Sequence, residues 1–554
     1  MTKMEPNGNK EEATPKTEVT IDEGEAAKET TQEPEEKLTL KNVILIVEMF
    51  LVSLAVSYTE VCVVPALPHI SEQWSDNAEF VPWVLSSFNM VGAIVTPIFG
   101  YMSGMYGPKY PIVVSFIFYA IGQFGCALSN NIFLMIAFRA VQGIGMSIYV
   151  LFYSVANIVL PKKYVPIVIG VLTTNISVGT AVGLVGGSVT MDNISHWQDV
   201  FWTTFPIIII FGVAFIFTFT DEENKKGGVA DRSTIPPFDF VGPILLAIGL
   251  ILFLSSFTFS DTRGWDALVI CFIVFGILFL IFFAIYEWLI DHPLVPIKYI
   301  LTRDVGCAMG VSFGMGVVAL SVIQITPYIL LSPESTIITN KKMVFAGLLM
   351  LPFGIMELII SPFVGYIGGK VGFSVCITAG ALFQCASLIY LTFLHYHIAP
   401  LLIGFILYGG TSGAIYTASL DILAELVPPQ VFSVLSGTYL LFNVMGSAVG
   451  PVVVDLIART DMYYGSDASS TFEPVYASDH GYKMGYIFIA AVSAFEFLMS
   501  FGISDKFHYC TAKNAVSDEA ELEEGDKYVQ EESVYIGNAH IDFEIVSMAP
   551  IMKP

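Results

Sequence analysis

The chain has 554 residues and a formal net charge of −24, and 55% of its residues are hydrophobic while only 13% are charged. A soluble protein carries roughly 25% charged residues, so this composition excludes a large soluble domain. The acidity also excludes a nucleic-acid partner, which requires a basic face on the protein.

The two ends of the chain are acidic tails. Residues 1–40 hold eleven acidic residues and five lysines, a net charge of −6, and residues 505–554 hold eleven and four, a net charge of −7. The tails therefore supply −13 of the total charge. Both are polar and poor in aromatic residues, which is typical of disordered segments. The N-terminal tail lacks the apolar core of a cleaved signal peptide.

Between the tails, fourteen apolar runs are long enough to cross a bilayer as helices. They lie at 43–67, 81–102, 110–128, 132–159, 166–190, 200–220, 238–258, 266–288, 305–331, 344–367, 374–394, 399–421, 432–457 and 485–503. The pattern predicts an all-α polytopic membrane protein embedded in a lipid bilayer. An even number of spans places both termini on one side, and lysines and arginines in the short loops, ten against five, predict that this side is the cytoplasm.

Two predicted external segments stand out among the loops. The longest external loop runs from about Thr460 to Lys483 and is polar. Asn193-Ile194-Ser195 is a formal glycosylation triplet in another external loop.

The fourth span carries one arginine and several small residues, Arg139-Ala140-Val141-Gln142-Gly143-Ile144-Gly145. A guanidinium at membrane depth is costly and almost always faces a bundle interior or a wet cavity. Closely spaced glycines let a neighbouring helix or a ligand approach the backbone. The motif therefore predicts a lined pathway through the membrane, with a purely helix-packing arginine as the alternative.

A glycine pattern, G-Y-x-x-G-x-x-G, occurs twice with a separation of 265 residues. One copy ends the second span and the other ends the tenth. The glycines are Gly100, Gly104 and Gly107 in the first copy, and Gly365, Gly369 and Gly372 in the second. Duplicated halves are typical of secondary transporters, which place the substrate site between the halves near the midplane.

These motifs resemble the major facilitator superfamily, and most closely its fourteen-spanner drug:proton antiporter group. The fourth-helix motif of that group, R-x-x-Q-G-x-G, matches completely, and its fifth-helix antiporter motif matches in part. The matching residues are Arg139, Gln142, Gly143 and Gly145 in the fourth span, and Gly179, Gly183 and Gly187 in the fifth. In the fifth span, Leu184 and Ser188 replace the proline and a glycine of the group's motif.

The loop motif of the superfamily, G-x-L-x-D-R-x-G-R-K, is matched by Gly100, Gly107 and Lys109. Gly104 stands where the motif has aspartate, and Met105 stands where it has arginine. In the family this aspartate takes part in a charge network that favours one gate state.

The resemblance extends to the segments around the seventh and eighth spans. Asp239-Phe240-Val241-Gly242-Pro243 resembles the start of the group's extra helix pair, and His292-Pro293-Leu294-Val295-Pro296 resembles the loop after it. The resemblance implies a major facilitator fold with two six-helix halves, at 43–220 and 289–503, and an extra helix pair at 238–288.

Proton coupling requires a carboxyl group that can exchange a proton inside the membrane, where ionisable residues are rare and functional. Acids within or near the spans are Glu48, Glu60, Glu357, Asp421, Glu425, Asp455 and Glu496. Glu60 is our first candidate, although the position aligned with the group's acid is Thr59, about 100° away around a helix. Glu357 is the second candidate. For each acid, a packing or interfacial role is the alternative.

Four polar residues in span interiors are candidates to contact substrate: Gln142, Asn175, Gln324 and Asn443. Hydrogen bonding between helices is the alternative for each of them.

The predicted function is a secondary transporter that exports small organic compounds in exchange for protons, as a monomer. No nucleotide-binding loop is present, and seven scattered cysteines show neither metal-ligand spacing nor a disulfide framework. We therefore expect no cofactor, no metal and no catalytic residue. An uptake symporter, a transporter-like sensor and a membrane-embedded lipid-modifying enzyme are the alternatives; the enzyme would use Asp421 and Glu425, the one pair of acids on a single helical face.

Overall fold

The computed structural model describes residues 38–67, 70, 73–193, 197–220, 239–290, 293–331, 343–394, 397–427, 429–458 and 478–504. Both predicted acidic tails lie outside these residues, except for the last three residues of the first tail. Most of the predicted long external loop and the end of the glycosylation triplet also lie outside them.

Within the described residues, fourteen helices are long and apolar enough to cross a membrane, which confirms the predicted fold class. The spanning helices are α1 Leu40–Cys62, α2 Trp83–Tyr106, α3 Lys109–Leu128, α4 Ile132–Val159, α5 Val165–Asn193, α6 Asp199–Thr218, α7 Val241–Arg263, α8 Ala267–Leu289, α9 Arg303–Leu331, α10 Met343–Val371, α11 Phe373–Leu394, α12 Ile398–Leu426, α13 Pro429–Ala458 and α14 Asp479–Ser500. Helix α4 tightens into a 3₁₀ turn at Ile144–Ser147, directly after Gly143, the first glycine of its motif.

Side-chain caps and glycines set many of the helix ends. Thr39, Asn131 and Asp266 each accept a hydrogen bond from a backbone N–H in the first turn of the helix that follows. Gly107 and Gly372 follow the last residues of α2 and α10 with φ of 79° and 106°. Glycine adopts this backbone conformation at little cost, so both copies of the repeated glycine pattern end their helix in the same way.

Several predicted helix ends differ from the structure by five or six residues, among them the end of α12 at Leu426 rather than 421. Helix α14 begins at Asp479, six residues before the predicted start at 485, so the end of the predicted external loop is helical. Its first turns are polar, which hides them from a hydropathy pattern, but Ser478 caps the helix and Lys483 pairs with Asp479 at 2.6 Å. Helix α7 runs to Arg263, five residues past the predicted end.

The first half of the bundle, α1–α6, contacts the second half, α9–α14, along two main seams. Helix α5 packs against α10, and α2 packs against α13. At each seam a glycine of the repeated pattern meets the backbone of the opposite half: Gly100 lies against Ser433, and Gly365 lies against Pro166. The Ser433 hydroxyl also donates a hydrogen bond to the Gly100 carbonyl at 2.9 Å. The two halves therefore touch backbone to backbone where α2 and α10 end.

The extra helix pair lies at the periphery. Helix α7 packs against α2 and α13, while α8 packs mainly against α7. Only 17% of the most apolar stretch of α8 is buried. Two carboxylates, those of Asp239 and Glu287, join the two helices at the end where α7 begins and α8 ends. Asp239 accepts hydrogen bonds from the first amides of α7 and from the Tyr286 hydroxyl, and Glu287 accepts one from the Val295 amide at 3.0 Å. The two sequence motifs around this pair thus form one structural junction.

Candidate functional site

The Arg139 side chain is fully buried inside the first half of the bundle. Its guanidinium donates three hydrogen bonds to three different helices. Nε donates to the Val84 carbonyl of α2 at 2.9 Å, Nη1 to the Gln142 Oε1 of α4 at 2.9 Å, and Nη2 to the Glu60 carbonyl of α1 at 3.3 Å. The planar fork of an arginine can hold several acceptors in fixed directions. Arg139 therefore ties α1, α2 and α4 together.

Aromatic rings complete the surroundings of the guanidinium. Its central carbon lies 4.8 Å from the centroid of the Phe88 ring and 6.0 Å from that of Phe201. Among the described residues, no carboxylate forms an ion pair with Arg139. A buried charge is normally paired with an opposite one; here the carboxyl of Glu60 interacts electrostatically with the guanidinium without forming an ion pair.

A directional chain of hydrogen bonds continues from Arg139 through the first half. Gln142 Nε2 donates to Gln123 Oε1 on α3, and Gln123 Nε2 donates to the Phe201 carbonyl at 2.5 Å and to Thr204 Oγ1 at 2.9 Å on α6. The Thr204 and Thr59 hydroxyls are 2.7 Å apart, which returns the chain to α1. Fully satisfied buried networks of this kind specify a unique arrangement of the helices around them.

Two glycines of the fourth-helix motif bring α4 against its neighbours. A side chain at Gly143 would overlap the Phe88 carbonyl of α2, and one at Gly145 would lie 2.5 Å from Tyr119 of α3. The small residues therefore place the backbone of α4 close enough for Arg139 and Gln142 to reach their partners.

The glycines of the fifth-helix motif all face α1. A Cβ at Gly179 would lie 3.0 Å from the Tyr58 amide, one at Gly183 would lie 2.8 Å from the Tyr58 carbonyl, and Gly187 lies against Cys62. The second half repeats this contact, since Gly446 and Gly450 of α13 lie against the backbone of α9. The duplicated halves thus share a close helix contact that glycine makes possible.

Glu60 is half-buried at the end of α1, one residue beyond the position aligned with the family acid. Its carbonyl accepts from Arg139, while its carboxyl lies beside Asn89 of α2. Thr59, at the aligned position, is fully buried and engaged with Thr204. The rotation of one residue thus places a hydroxyl in the network and leaves the carboxyl of Glu60 outside it.

Glu357 lies in α10 with only 3% of its surface exposed. Its carboxyl lies beside Ser177 of α5, and a Cβ at Gly413 of α12 would be 2.7 Å from its Cγ. One carboxyl oxygen, Oε2, has no hydrogen-bond partner among the described residues. Glu357 is therefore a carboxyl group placed directly in the α5–α10 seam between the halves.

The structure places the four polar candidates in different settings. Gln142 belongs to the Arg139 network. Asn175 of α5 is fully buried, and neither its amide nitrogen nor its oxygen has a partner among the described residues. Asn443 donates to the Ser312 carbonyl of α9 at 3.2 Å, a bond between helices, and Gln324 is exposed on α9. Of the four candidates, Asn175 is thus the one with the most unused hydrogen-bonding capacity.

The remaining residues of the loop motif and its repeat lie at the ends of α2 and α10. Gly104 is buried, whereas the equivalent Gly369 has open space around it. Lys109 is the first residue of α3. Lys370, in the last turn of α10, donates to the Tyr366 hydroxyl at 2.6 Å and lies 4.1 Å from its ring centroid.

Sequence reasoning did not identify Gln123 and Thr204 as members of the network. Gln123 had a signal, because an amide within the third span needs a partner. Thr204 had none, because serine and threonine hydroxyls in helices commonly bond to their own backbone.

The pair of acids suggested for an enzyme lies at the end of α12. Asp421 is buried with both carboxyl oxygens unpartnered among the described residues, and Glu425 lies near it. No group of three or more potential metal ligands is found in the described parts of the chain.

Comparisons with known proteins agree with this architecture. The model of the family described as Major Facilitator Superfamily matches residues 49–339. The efflux pump dotC of Dothistroma septosporum is 28% identical over 47% of this chain and 45% of its own length. The MFS-type transporter YvkA of Bacillus subtilis is 24% identical over 75% of this chain and 90% of its own, and the multidrug resistance protein Stp of Mycobacterium tuberculosis is 21% identical over 74% and 73%.

A solved structure shares the fold. The human organic anion transporter MFSD10 superposes with a TM-score of 0.57 at 13% identity, covering 83% of this chain and all of the other. The chain spans about half the length of the first of these relatives, dotC, and most of the length of the others.

Proposed function

The chain belongs to the Major Facilitator Superfamily and is a secondary transporter, and on that premise we propose that it exports small organic compounds in exchange for protons by alternating access. Its relatives include proteins named as an efflux pump and as a multidrug resistance protein. These names support export and a small organic substrate.

The observation that carries the proposal is the buried, unpaired guanidinium of Arg139 in a network that reaches five of the six helices of the first half. A cation without a counter-ion at membrane depth is costly unless it meets an anionic group during function. The carboxyl of Glu60, half-buried nearby, is the anionic group of this chain best placed to pair with the guanidinium. Protonation of Glu60 would remove its charge, so proton binding would change the electrostatic balance around Arg139.

Glu357 supports coupling from the second half. Because its carboxyl lies in the α5–α10 seam, any movement of the two halves changes its surroundings. A carboxyl group that is dry in one state and wet in another binds a proton differently in the two states, which is the requirement for coupling to a proton gradient.

Asn175 supports a polar contact with the substrate. Its amide offers two donors and one acceptor that the described residues leave unused. It lies on α5 two residues before Ser177, so its side chain leaves the helix in a different direction from the one that lies beside Glu357.

The test is flux in liposomes that contain the purified protein and no ATP, with a trapped pH-sensitive dye and a panel of small amphipathic compounds outside. Antiport predicts that a compound accumulates when the lumen is acidic, and that the dye reports proton exit at the same time. A protonophore should abolish the accumulation. Accumulation only with an acidic exterior would assign symport instead, and no flux under either gradient with any compound would favour a sensor or an enzyme.

We also propose that the protein resides in the plasma membrane with both termini in the cytoplasm. The fourteen spanning helices of the described residues are an even number, which supports placing the two termini on one face, and the hydrogen bond from Arg303 to the Phe501 carbonyl at 2.8 Å joins the start of α9 to the end of α14. Epitope tags at either end should be reached by antibody only after the cells are permeabilised. Labelling of a tag on intact cells would reverse the orientation.

A further inference from the structure

We propose that Glu496 of α14 and Gln384 of α11 form a proton-binding site in the second half, in which Glu496 is a carboxylic acid paired to the amide of Gln384. The two side chains are buried, with 0% and 1% of their surface exposed. Gln384 Nε2 donates to Glu496 Oε2 at 2.8 Å.

The other two polar atoms of this pair identify the missing proton. Glu496 Oε1 and Gln384 Oε1 are both buried acceptors without a partner among the described residues. Leaving one buried acceptor without a hydrogen-bond donor is costly, and here two acceptors lack a donor. A single proton on Glu496 Oε1 turns that atom into a donor, and Gln384 Oε1 is the acceptor on the partner amide. In this proposed arrangement the acid and the amide form a second hydrogen bond beside the one from Gln384 Nε2.

The first half shows the same link with its donor present. Gln123 of α3 donates to α6, as Gln384 of α11 donates to α14, so each half joins its third helix to its sixth. In the first half, the oxygen of the glutamine accepts from Gln142 Nε2. In the second half, no described side chain supplies this donor, and a proton on Glu496 takes its place.

The surroundings of Glu496 offer a carboxylate few donors: besides Gln384, the Ser493 hydroxyl lies beside the carboxyl, outside strict hydrogen-bond geometry. Gly314 of α9 lies directly against it, since a Cβ there would be 2.6 Å from Glu496 Cγ. The titratable groups that face it are Cys385 of α11, Tyr408 of α12 and Tyr439 of α13. No basic side chain of the described residues pairs with it, and an unpaired buried carboxylate carries a large desolvation cost.

The site also has a place in transport, and this second step rests on the proposed function. The charges of Glu496 and Glu357 both act on Tyr408 of α12, so Tyr408 is one residue through which the site and the carboxyl group in the seam between the halves interact. Release of its proton leaves a charge that requires water, so deprotonation favours a state in which the second half is open. Proton exchange at Glu496 would therefore accompany the change of access.

The first experiment needs no transport. Infrared difference spectra of wild type minus Glu496→Gln, recorded on purified protein at neutral pH, should show the C=O band of a buried carboxylic acid. Gln384→Leu should move that band to higher frequency, because the acid loses its amide acceptor. Asp304→Asn is the matched control, since that carboxylate accepts hydrogen bonds from Ser504 at 2.8 and 3.0 Å and should contribute no acid band. A spectrum of Glu496→Gln that equals wild type would overturn the site.

The second experiment concerns the role in the cycle. Glu496→Gln keeps a two-bonded pair with Gln384 and should therefore retain the wild-type melting temperature, whereas Glu496→Leu should lower it. In liposomes, Glu496→Gln should lose gradient-driven accumulation and keep substrate exchange. Normal gradient-driven accumulation would overturn the role in transport while the infrared band still decides the site. If wild type shows no gradient-driven flux, the proposed function fails and the site stands or falls by its spectrum alone.

Discussion

Replacing Arg139 should weaken the first half of the bundle in proportion to the acceptors that lose their donor. In Arg139→Ala, Gln142 Oε1 loses its donor, and so does the Glu60 carbonyl, which lies among the last carbonyls of α1 that lack a helical partner. The Val84 carbonyl lies inside α2 and keeps its helical bond. Leaving a buried acceptor unpaired costs about 1–3 kcal/mol, so Arg139→Ala should destabilise the protein by at most about 2–6 kcal/mol, because the variant also removes the desolvation cost of the buried charge.

Arg139→Lys tests the geometry separately from the charge. A lysine keeps the positive charge but lacks the planar fork, so its ammonium cannot hold acceptors on two helices in the directions that Arg139 serves. With one acceptor restored, the loss should fall to about 1–3 kcal/mol. The expected order of melting temperature is therefore wild type, then Arg139→Lys, then Arg139→Ala.

Both variants should be measured by thermal unfolding and, below their melting temperatures, by gradient-driven flux in liposomes. The flux should follow the same order, because the network positions α1 and its Glu60. Arg263→Ala is the matched control. Its side chain is 53% exposed and pairs with Asp266 at the surface, where an ion pair contributes about 0–1 kcal/mol. Equal melting and equal flux in wild type and Arg139→Ala would refute the reasoning.

Three further predictions follow from the described contacts. Glu60→Gln should abolish gradient-driven accumulation while substrate exchange persists, and accumulation that survives in Glu60→Gln but is lost in Glu357→Gln would move the coupling site to the second half. Gly365→Ala should lower flux because its Cβ would overlap the backbone of the opposite half, whereas Gly369→Ala, with open space around it, should be neutral; equal flux in the two would contradict the role of the seam. A backbone amide at the start of α8 lowers the pKa of Asp266. The cap that Asp266 forms is therefore stabilising above the ordinary aspartate pKa, and its stabilisation is lost as the pH falls through the folded-state pKa. Amide hydrogen exchange in the first turn of α8 should accelerate on acidification in the wild type but not in Asp266→Asn.

The fourth span shows how far the sequence could lead. The spacing of Arg139 and Gln142, three residues apart, places both side chains on one helical face, and the structure joins them at 2.9 Å. The partners beyond α4 could not be predicted, because Gln123 and Thr204 are 81 residues apart in the chain. Such pairings depend on how the helices assemble, and the residue pattern of one helix does not indicate which residue of another helix it will contact.

The first span shows where a motif and the chemistry of its residues diverge. Alignment with the family placed Thr59 at the acid position, whereas the reasoning from charge favoured Glu60. The structure puts Thr59 in the network and the Glu60 carboxyl beside Asn89. Both residues are therefore at the site, but the direction of each side chain follows from the rotation of α1 against α2 and α6. A sequence pattern gives the period of a helix, and only packing sets its rotation.

The loss of the acid from the loop motif also has a physical reading in the fold. In this chain the motif has glycine at 104, and that position is buried in α2, so a carboxylate there would need a partner. The face at which α2 and α10 end is instead held by contacts between backbones, Gly100 with Ser433 and Gly365 with Pro166. Contacts of this kind depend on the absence of side chains rather than on charge, so they are insensitive to salt, which screens exposed charge networks. The contact between the halves at this face therefore rests on the fit of the two backbones rather than on an ion pair of the loop motif.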